Sequence, residues 1–557
     1  MTNSASSIGT VVGNTSPQEF SFNMKRFSAR LGDLVNVDIE IPTDDPTGKK
    51  QGVTVWGRIT ELQRFNPFLP AEAGNELADE ELELIDTVLS NSRDQVEATV
   101  LVLGMTLSSS PTQILPLNYP VQPGAVVTRP HETAVKAILV GDEVDVPRLK
   151  IGTLIGRRSV EVSLKTNVIV GRHMAILAMT GGGKTVAARR IIRELLATKY
   201  PLVILDPHGD YLGVWEKRLL FPENKIKLYY PSVNVNDRNR ELISFLVSRM
   251  TQGFTDPQKD KFHEAMDATD LRDGESVPVS TFISRLQQQL GQIQARHGGT
   301  IPAIRRGLRL VAKQMDAMQA SNAALRRKLA EYPFEPMPDP LTEPHKYVSP
   351  GQASIVYLGG YDHLTQSTLV ALILKHLFEN RASMTNAIPP FFTVVEEAHN
   401  FIPSRGEGQT ETPSVDIIQK VITEGRKFGV GLLLISQRPS RLDETTLSQC
   451  NTFLVFRLVN PRDQAFVEKV MENLSKSDSR LLPGFGPGQG IISGQAVRFP
   501  LVVQVDFDKD LITRTIGDED FVDAVRKWQS SPQASAIERG RSIEDALEEA
   551  ERTTSNK

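Results

Sequence analysis

The sequence predicts an α/β protein, with a small β-rich N-terminal domain ahead of a mostly parallel sheet that carries a helical insertion. Three observations carry that expectation. Short β-branched runs separated by turn residues recur through roughly the first 150 residues. From about residue 151 to 506, continuous aliphatic runs alternate with longer helical stretches. One of those runs feeds a glycine loop that opens a helix.

The first domain is expected over residues 1–150. Its runs are Val11-Val12, Val35-Asn36-Val37-Asp38-Ile39, Val53-Thr54-Val55-Trp56 and Val100-Leu101-Val102-Leu103. Gly32-Asp33, Asp44-Asp45-Pro46, Gly104 and Pro123-Gly124 punctuate them. Such short strands with turn signals suit a small barrel or a sandwich. An acidic interruption, Glu72 to Asp94, holds eight acids and one base, Arg93. It reads as a solvated loop or helix face, or as a docking strip.

The second domain is expected over residues 151–506. Its strands are Ala175–Leu177, Leu202–Leu205, Ser354–Leu358, Phe392–Val395, Gly431–Ile435 and Phe453–Phe456. Unbroken apolar runs of this kind suit strands covered on both faces. A polar, helix-prone stretch at about 236–335 reads as an insertion. Residues 507–557 are polar, with a helical pattern from Ser542 to Arg552, and are expected to form a tail or a brace on a neighbour.

Composition narrows the function. Lys and Arg number 63 and Asp and Glu 67, a net charge of −4, which excludes a uniformly basic nucleic-acid coat but not a local patch. A single cysteine, Cys450, excludes an intrachain disulfide and a cysteine zinc cluster and fits a reducing compartment. Met1 to Thr10 lacks the pattern of a signal peptide, and no apolar run reaches the roughly 20 residues of a membrane helix. A soluble, cytoplasmic protein without a membrane segment is expected.

The strongest motif runs from Ala175 through Thr180-Gly181-Gly182-Gly183-Lys184-Thr185-Val186 and on to Arg193. Strand, glycine loop and helix form the context of a P-loop. The glycines let backbone N–H groups from Thr180 to Val186 face phosphate oxygens, and the helix N-terminus adds a favourable dipole. Lys184 supplies a cation toward the β- and γ-phosphates of ATP, and Thr185 a hydroxyl for Mg²⁺.

A second motif, Phe391-Phe392-Thr393-Val394-Val395-Glu396-Glu397-Ala398-His399-Asn400, ends a hydrophobic strand in two acids. Glu396 is placed to hold the Mg²⁺ shell through water, and Glu397 to orient and polarise an attacking water. A second acid suits hydrolysis better than transfer to a substrate hydroxyl. His399, a loop histidine without metal partners, reads as structural.

Two further motifs flank the site. Glu424-Gly425-Arg426-Lys427-Phe428-Gly429 precedes a core strand that ends in Ser436-Gln437-Arg438-Pro439. Gln437 is placed to sense a γ-phosphate, whereas Arg426 cannot easily reach its own P-loop but could reach a neighbour's. Leu205-Asp206-Pro207-His208-Gly209-Asp210-Tyr211 ends another strand, where Asp206 is either near the ligand or a cap for the turn.

In this order the motifs resemble the HerA family of hexameric ATPases, relatives of the FtsK DNA pumps. The matching residues are Arg172-His173-Met174-Ala175-Ile176-Leu177, the loop to Thr185, Leu205 to Tyr211, Glu396 to His399, Gly425 to Gly429, and Ser436 to Pro439. Gly9-Thr10-Val11 and Gly32-Asp33-Leu34-Val35 resemble the HAS barrel of that family, so the likeness covers roughly residues 8 to 506. The chain departs from the family pattern at Ala178, usually Gly, and at Glu396, often Asp.

The resemblance implies a homohexamer of RecA-like domains with ATP at subunit interfaces. Arg426 matches the trans-acting arginine finger, and Arg172 is implied to contact nucleotide. Family members translocate on double-stranded DNA threaded through the ring. They work with a nuclease such as NurA in end processing, or beside sirtuin-like, NAD-hydrolysing or nuclease effectors in anti-phage defence. The expected function is therefore an ATP-driven DNA translocase or helicase feeding a partner. The alternative is an ATP-dependent scaffold ring that activates an effector. A local basic segment, Arg285 to Lys328, nets +8 and lacks aromatic residues, which suits duplex phosphates better than base stacking. Its cations could equally solvate a helix or pair with acids elsewhere.

Overall fold

The computed structural model describes residues 6–25, 28–42, 50–66, 95–142, 145–251, 253–272, 275–293, 299–385, 387–404, 412–471 and 474–511, with 523, 525, 526 and 529. The acidic strip 72–94, Arg296 and the helical pattern at 542–552 lie outside the described residues.

The N-terminal strands are β1 (Ser6–Val12), β2 (Glu19–Met24), β3 (Leu34–Pro42), β4 (Lys50–Phe65), β5 (Gln95–Leu107), β6 (Ser110–Leu115) and β7 (Val126–Arg129). They run β2-β1-β7-β3-β4-β5-β6, and a β2–β5 pairing closes six of them into a barrel. Closure decides between the barrel and the sandwich that the alternating pattern left open. Phe20, Phe22, Val35, Val37, Val55, Ile59, Val100 and Val127 fill the interior. β4 shifts register at Trp56/Gly57, where a side chain at Gly57 would meet Val100 Cγ1 at 2.3 Å.

The larger sheet takes β8 (Arg148–Leu154), β9 (Arg157–Lys165), β10 (Met174–Leu177), β11 (Leu202–Asp206) and β12 (Lys225–Tyr230). A two-residue pair, β13 (Asn234–Val235) and β14 (Val277–Pro278), stands apart. Then come β15 (Glu335–Pro336), β16 (Gln352–Tyr357), β17 (Phe391–Val395), β18 (Val430–Ser436), β19 (Thr452–Val455), β20 (Gln489–Gly494) and β21 (Leu501–Val505). The order is β15-β12-β16-β11-β17-β18-β10-β19-β20-β21-β8-β9. Strands from β15 to β19 are parallel, and the last four add antiparallel. β21 returns to β8, with Val505 opposite Gly152.

Alternate residues of the parallel strands feed two cores. Leu202 and Ile204 pack with the helix Lys184–Ala197, whereas Val203 and Leu205 face the other side. That other side carries the helices Leu242–Met250, Asp256–Asp267, Val279–Leu290 and Thr300–Lys328, packed with His363–Ala382. The barrel docks through Leu34 and Trp56, which join the core containing Val135 and Ile138. Arg58 of β4 forms a buried ion pair with Asp478 beyond the sheet.

Candidate functional site

The glycine loop hangs from three strands. Ala178 N–H donates to Ser436 O at 3.2 Å and Met179 N–H to Arg457 O at 3.0 Å, tying the loop to the ends of β18 and β19. Ala178 is fully buried, and a side chain at Gly182 would meet its Cβ at 3.1 Å, so the smallest side chain fits where the family pattern has Gly. Gly183, at φ 109°, caps the helix Lys184–Ala197, and no side chain caps that end. The first-turn N–H groups, from Lys184 to Val186, therefore have no acceptor within the helix and sit at its positive pole. This is a ready anion cradle.

Four sequence-predicted residues meet above it. Lys184 is buried, with Nζ 3.4 Å from Glu397 Oε1. Gln437, one residue past β18, donates through Nε2 to the same Oε1. Thr180 Oγ1 donates to Gln437 Oε1. Glu397 reaches this position with φ at 49°, a left-handed turn that a side chain adopts only under constraint. The network joins Lys184, Glu397, Gln437 and Thr180 within one chain.

Glu396 is buried on the β11 side, where Tyr211 Oη donates to its Oε2 at 2.6 Å. Burial pushes the Glu396 carboxyl up to about 8, against the opposing pull of Tyr211 and Lys184. The sequence reading missed Tyr211 as a partner, although it closes the Leu205–Tyr211 motif at a strand's carboxyl end. Asp206 is the cap. Its Oδ1 accepts from the N–H groups of His208, Gly209 and Asp210, and its Oδ2 from Tyr211 N–H at 2.9 Å. Burial raises Asp206 to about 6, with those N–H groups pulling it down. Arg189 donates to Asp210 O from the P-loop helix at 3.1 Å. The loop that presents Tyr211 is thus held from both ends.

Arg172 and Arg426 do not join this cluster. Arg426 is exposed in the last turn of the helix Val415–Phe428, before the amino end of β18. Arg172 ends the helix Thr166–Arg172, before β10, and donates to Gln495 Oε1. Both stand at the amino ends of strands whose carboxyl ends carry the P-loop and Gln437, about 20 Å away along seven residues of β18. His173 fixes this edge, its Nδ1 accepting from Leu432 N–H at 3.1 Å. The helix Thr166–Arg172 approaches β18 closely there: a side chain on Gly431 would meet Val170 O at 2.0 Å.

The residues fit ATP with Mg²⁺. Lys184 and the loop N–H groups would hold phosphate, and Thr185 with Glu396 the cation. Mg²⁺ is commonly held by one or two carboxylates with substrate phosphates and water rather than by a protein cage. A parallel sheet with a glycine loop, two acids and a glutamine bonded to one of them at its carboxyl edge defines a P-loop ATPase.

Comparison with known proteins narrows the class. Residues 149–377 match the family model of the central domain of helicase HerA. The chain is 28% identical over 505 residues to the DNA double-strand break repair helicase HerA of Pyrococcus furiosus, covering 84% of this chain and 87% of that one. It is 24% identical over 552 residues to HerA of Saccharolobus solfataricus, covering 96% and 98%. Among solved structures, VirB4 of Thermoanaerobacter pseudethanolicus covers 66% of this chain and 98% of its own at 13% identity and a TM-score of 0.42. The chain thus carries a match to the HerA central domain, is similar to HerA helicases along most of its length, and is a P-loop ATPase of the helicase class. No helix among the described residues is long and apolar enough to cross a membrane.

Proposed function

We propose that the protein is an ATP-driven translocase on double-stranded DNA, working in the cytoplasm as a homohexamer whose ATP sites are completed between subunits. The observation that carries this reading is the separation of the two arginines from the P-loop within one chain. Neither Arg172 nor Arg426 has a carboxylate partner among the described residues. A cation that cannot reach its own site, on an exposed edge, suits the phosphate site of a neighbour. The HerA relatives named above, described as DNA repair helicases, support DNA as the polymer.

In this reading ATP and Mg²⁺ supply the scissile phosphoanhydride and its charge screening. Lys184 leaves Glu397 to meet the incoming phosphates. Glu397 then polarises the attacking water, and Gln437, already bonded to it, reports the γ-phosphate to β18. Arg426 of one subunit stabilises the charge developing in the next, with Arg172 beside it.

The insertion supports duplex contact. Arg306, Arg309 and Lys313 lie on one exposed face of the helix Thr300–Lys328, while Ile304, Leu308, Val311 and Met315 are buried. Arg285 is committed to Glu275, but those three have no ion-pair partner among the described residues. A partner nuclease or NAD-hydrolysing effector, in end processing or anti-phage defence, completes the proposal.

The test is ATP turnover with and without long duplex. Strong stimulation by duplex, lost in Lys184→Ala, is expected. No stimulation until a partner protein is added would overturn the translocase reading in favour of the scaffold ring.

A further inference from the structure

His399 lies in the tight turn Ala398–Asn400 that follows Glu397. The turn is anchored from outside, since Asn400 O stands 2.6 Å from His363 Nε2. The ring of His399 folds back over the base: Nδ1 is 3.2 Å from Glu397 Oε2 and 3.2 Å from Ser436 Oγ.

The two oxygens of Glu397 have unlike surroundings. Oε1 faces the P-loop and takes Lys184 and Gln437. Oε2 is buried and has no hydrogen-bond partner among the described residues, with His399 Nδ1 lying 3.2 Å away. Ser436 Oγ already accepts from Arg438 N–H at 3.0 Å. The ring has two arrangements. With its proton on Nε2, Ser436 can donate to Nδ1 and Glu397 Oε2 is left bare. With its proton on Nδ1, a turn of the ring from Ser436 toward Glu397 would let it donate to Oε2, 3.2 Å away, and would leave no buried carboxylate oxygen orphaned. A bare oxygen on a buried carboxylate is the costlier state.

We propose that His399 is a positioning residue for Glu397. With its proton on Nδ1 it holds Oε2, so that Oε1 stays turned to the phosphates when bound nucleotide draws Lys184 away. The sequence reads His399 as structural; the geometry assigns it this specific task. The inference rests on the reading of Glu397 as the water-polarising residue.

The side-chain amide of Asn can place a donor near Nδ1, whereas that of Gln reaches the place of Nε2. In the full chain, His399→Ala and His399→Gln are expected to lower kcat about tenfold, the scale of losing one hydrogen bond to a charged group. His399→Asn is expected to retain most of the wild-type kcat. Binding of a fluorescent ADP, titrated separately, stays within about twofold for all three, because the residue acts through Glu397 and not on the cradle. The inference is overturned if His399→Asn is as slow as His399→Gln, if neither is slowed, or if the loss lies in nucleotide affinity. Should His399→Ala fail to fold, the Asn and Gln pair, both amides, decides the same question. Glu397→Gln separates the two layers. If it still turns over ATP like wild type, the reading of Glu397 falls and this inference with it. If it is inactive while Asn and Gln behave alike, only the inference on His399 falls.

Discussion

The two ends of the parallel strands solve opposite electrostatic problems. At the carboxyl ends, every charged group of the site has a partner in the same chain: Lys184 has Glu397, Glu397 has Gln437, and Glu396 has Tyr211. At the amino ends, Arg426 is exposed and has no carboxylate partner among the described residues, and Arg172 donates to the neutral Gln495. The first end is complete enough to wait in a low-dielectric setting, where an unpaired charge is expensive. The second leaves Arg426 exposed and Arg172 half-exposed. In the proposed ring, one sheet would offer a socket at one edge and a plug at the other.

The largest way to break this comparison is to remove the socket. Lys184→Ala is expected to abolish turnover while the chain remains folded, as read by activity and thermal melting together. A folded variant that kept its turnover would count against a catalytic cradle. Next, Arg426→Ala is expected to lower kcat by about 10³, the usual scale of an arginine finger, with ADP affinity unchanged. Mixing it with Glu397→Gln should restore part of the rate, since some interfaces then pair an intact Glu397 with an intact Arg426. No recovery at any ratio, in rings shown to be mixed, would place Arg426 outside the neighbour's site.

Tyr211→Phe sharpens the socket side. It removes one donor from a buried carboxylate, so about a tenfold loss in turnover is expected, with more Mg²⁺ needed for half-maximal rate. Arg426→Ala should leave the Mg²⁺ requirement where it was.

The plug side has its own signature in pH. Burial holds His173 down to about 4, below the ordinary value of 6.5. The unfolded chain therefore binds the extra proton first. This contribution is fully present above about pH 6.5 and is lost as pH falls toward 4. At pH 5 the loss is on the order of 2 kcal/mol. His376, also held to about 4 by burial, adds a similar slope. His173→Asn, which can still accept the Leu432 N–H, should flatten the fall in melting temperature between pH 7 and 5. An unchanged slope would show that His173 is not held neutral.

The smallest effect concerns the insertion. Replacing Arg306, Arg309 and Lys313 by Ser should reduce the slope of log affinity against log salt for duplex by up to about 3, roughly 0.9 per phosphate contact. An unchanged slope would return that face to simple solvation.

Much of this was legible in sequence because it is local. The parallel strands announce themselves as unbroken apolar runs, since both faces are covered. The P-loop announces itself because glycine conformations, a lysine and a helix start occupy consecutive positions. The same locality hid other features. Alternating strands look alike in a sandwich and a barrel, and only the β2–β5 pairing tells them apart. Tyr211 reads as one more aromatic residue until it meets Glu396 across 185 positions.

By itself, then, the sequence determined the chemistry on offer: a phosphate cradle, two acids, a strand-end glutamine and two arginines. Their kinds follow from side-chain chemistry, and their order from strands that each end in a functional loop. Tertiary structure alone decided who meets whom. Lys184 and Glu397 are 213 positions apart and share one buried ion pair, while Arg426, only 11 positions before Gln437, stands at the other end of the same strand. The reason is geometric. A strand carries its two ends to opposite edges of the sheet, whereas parallel neighbours bring distant segments to the same edge.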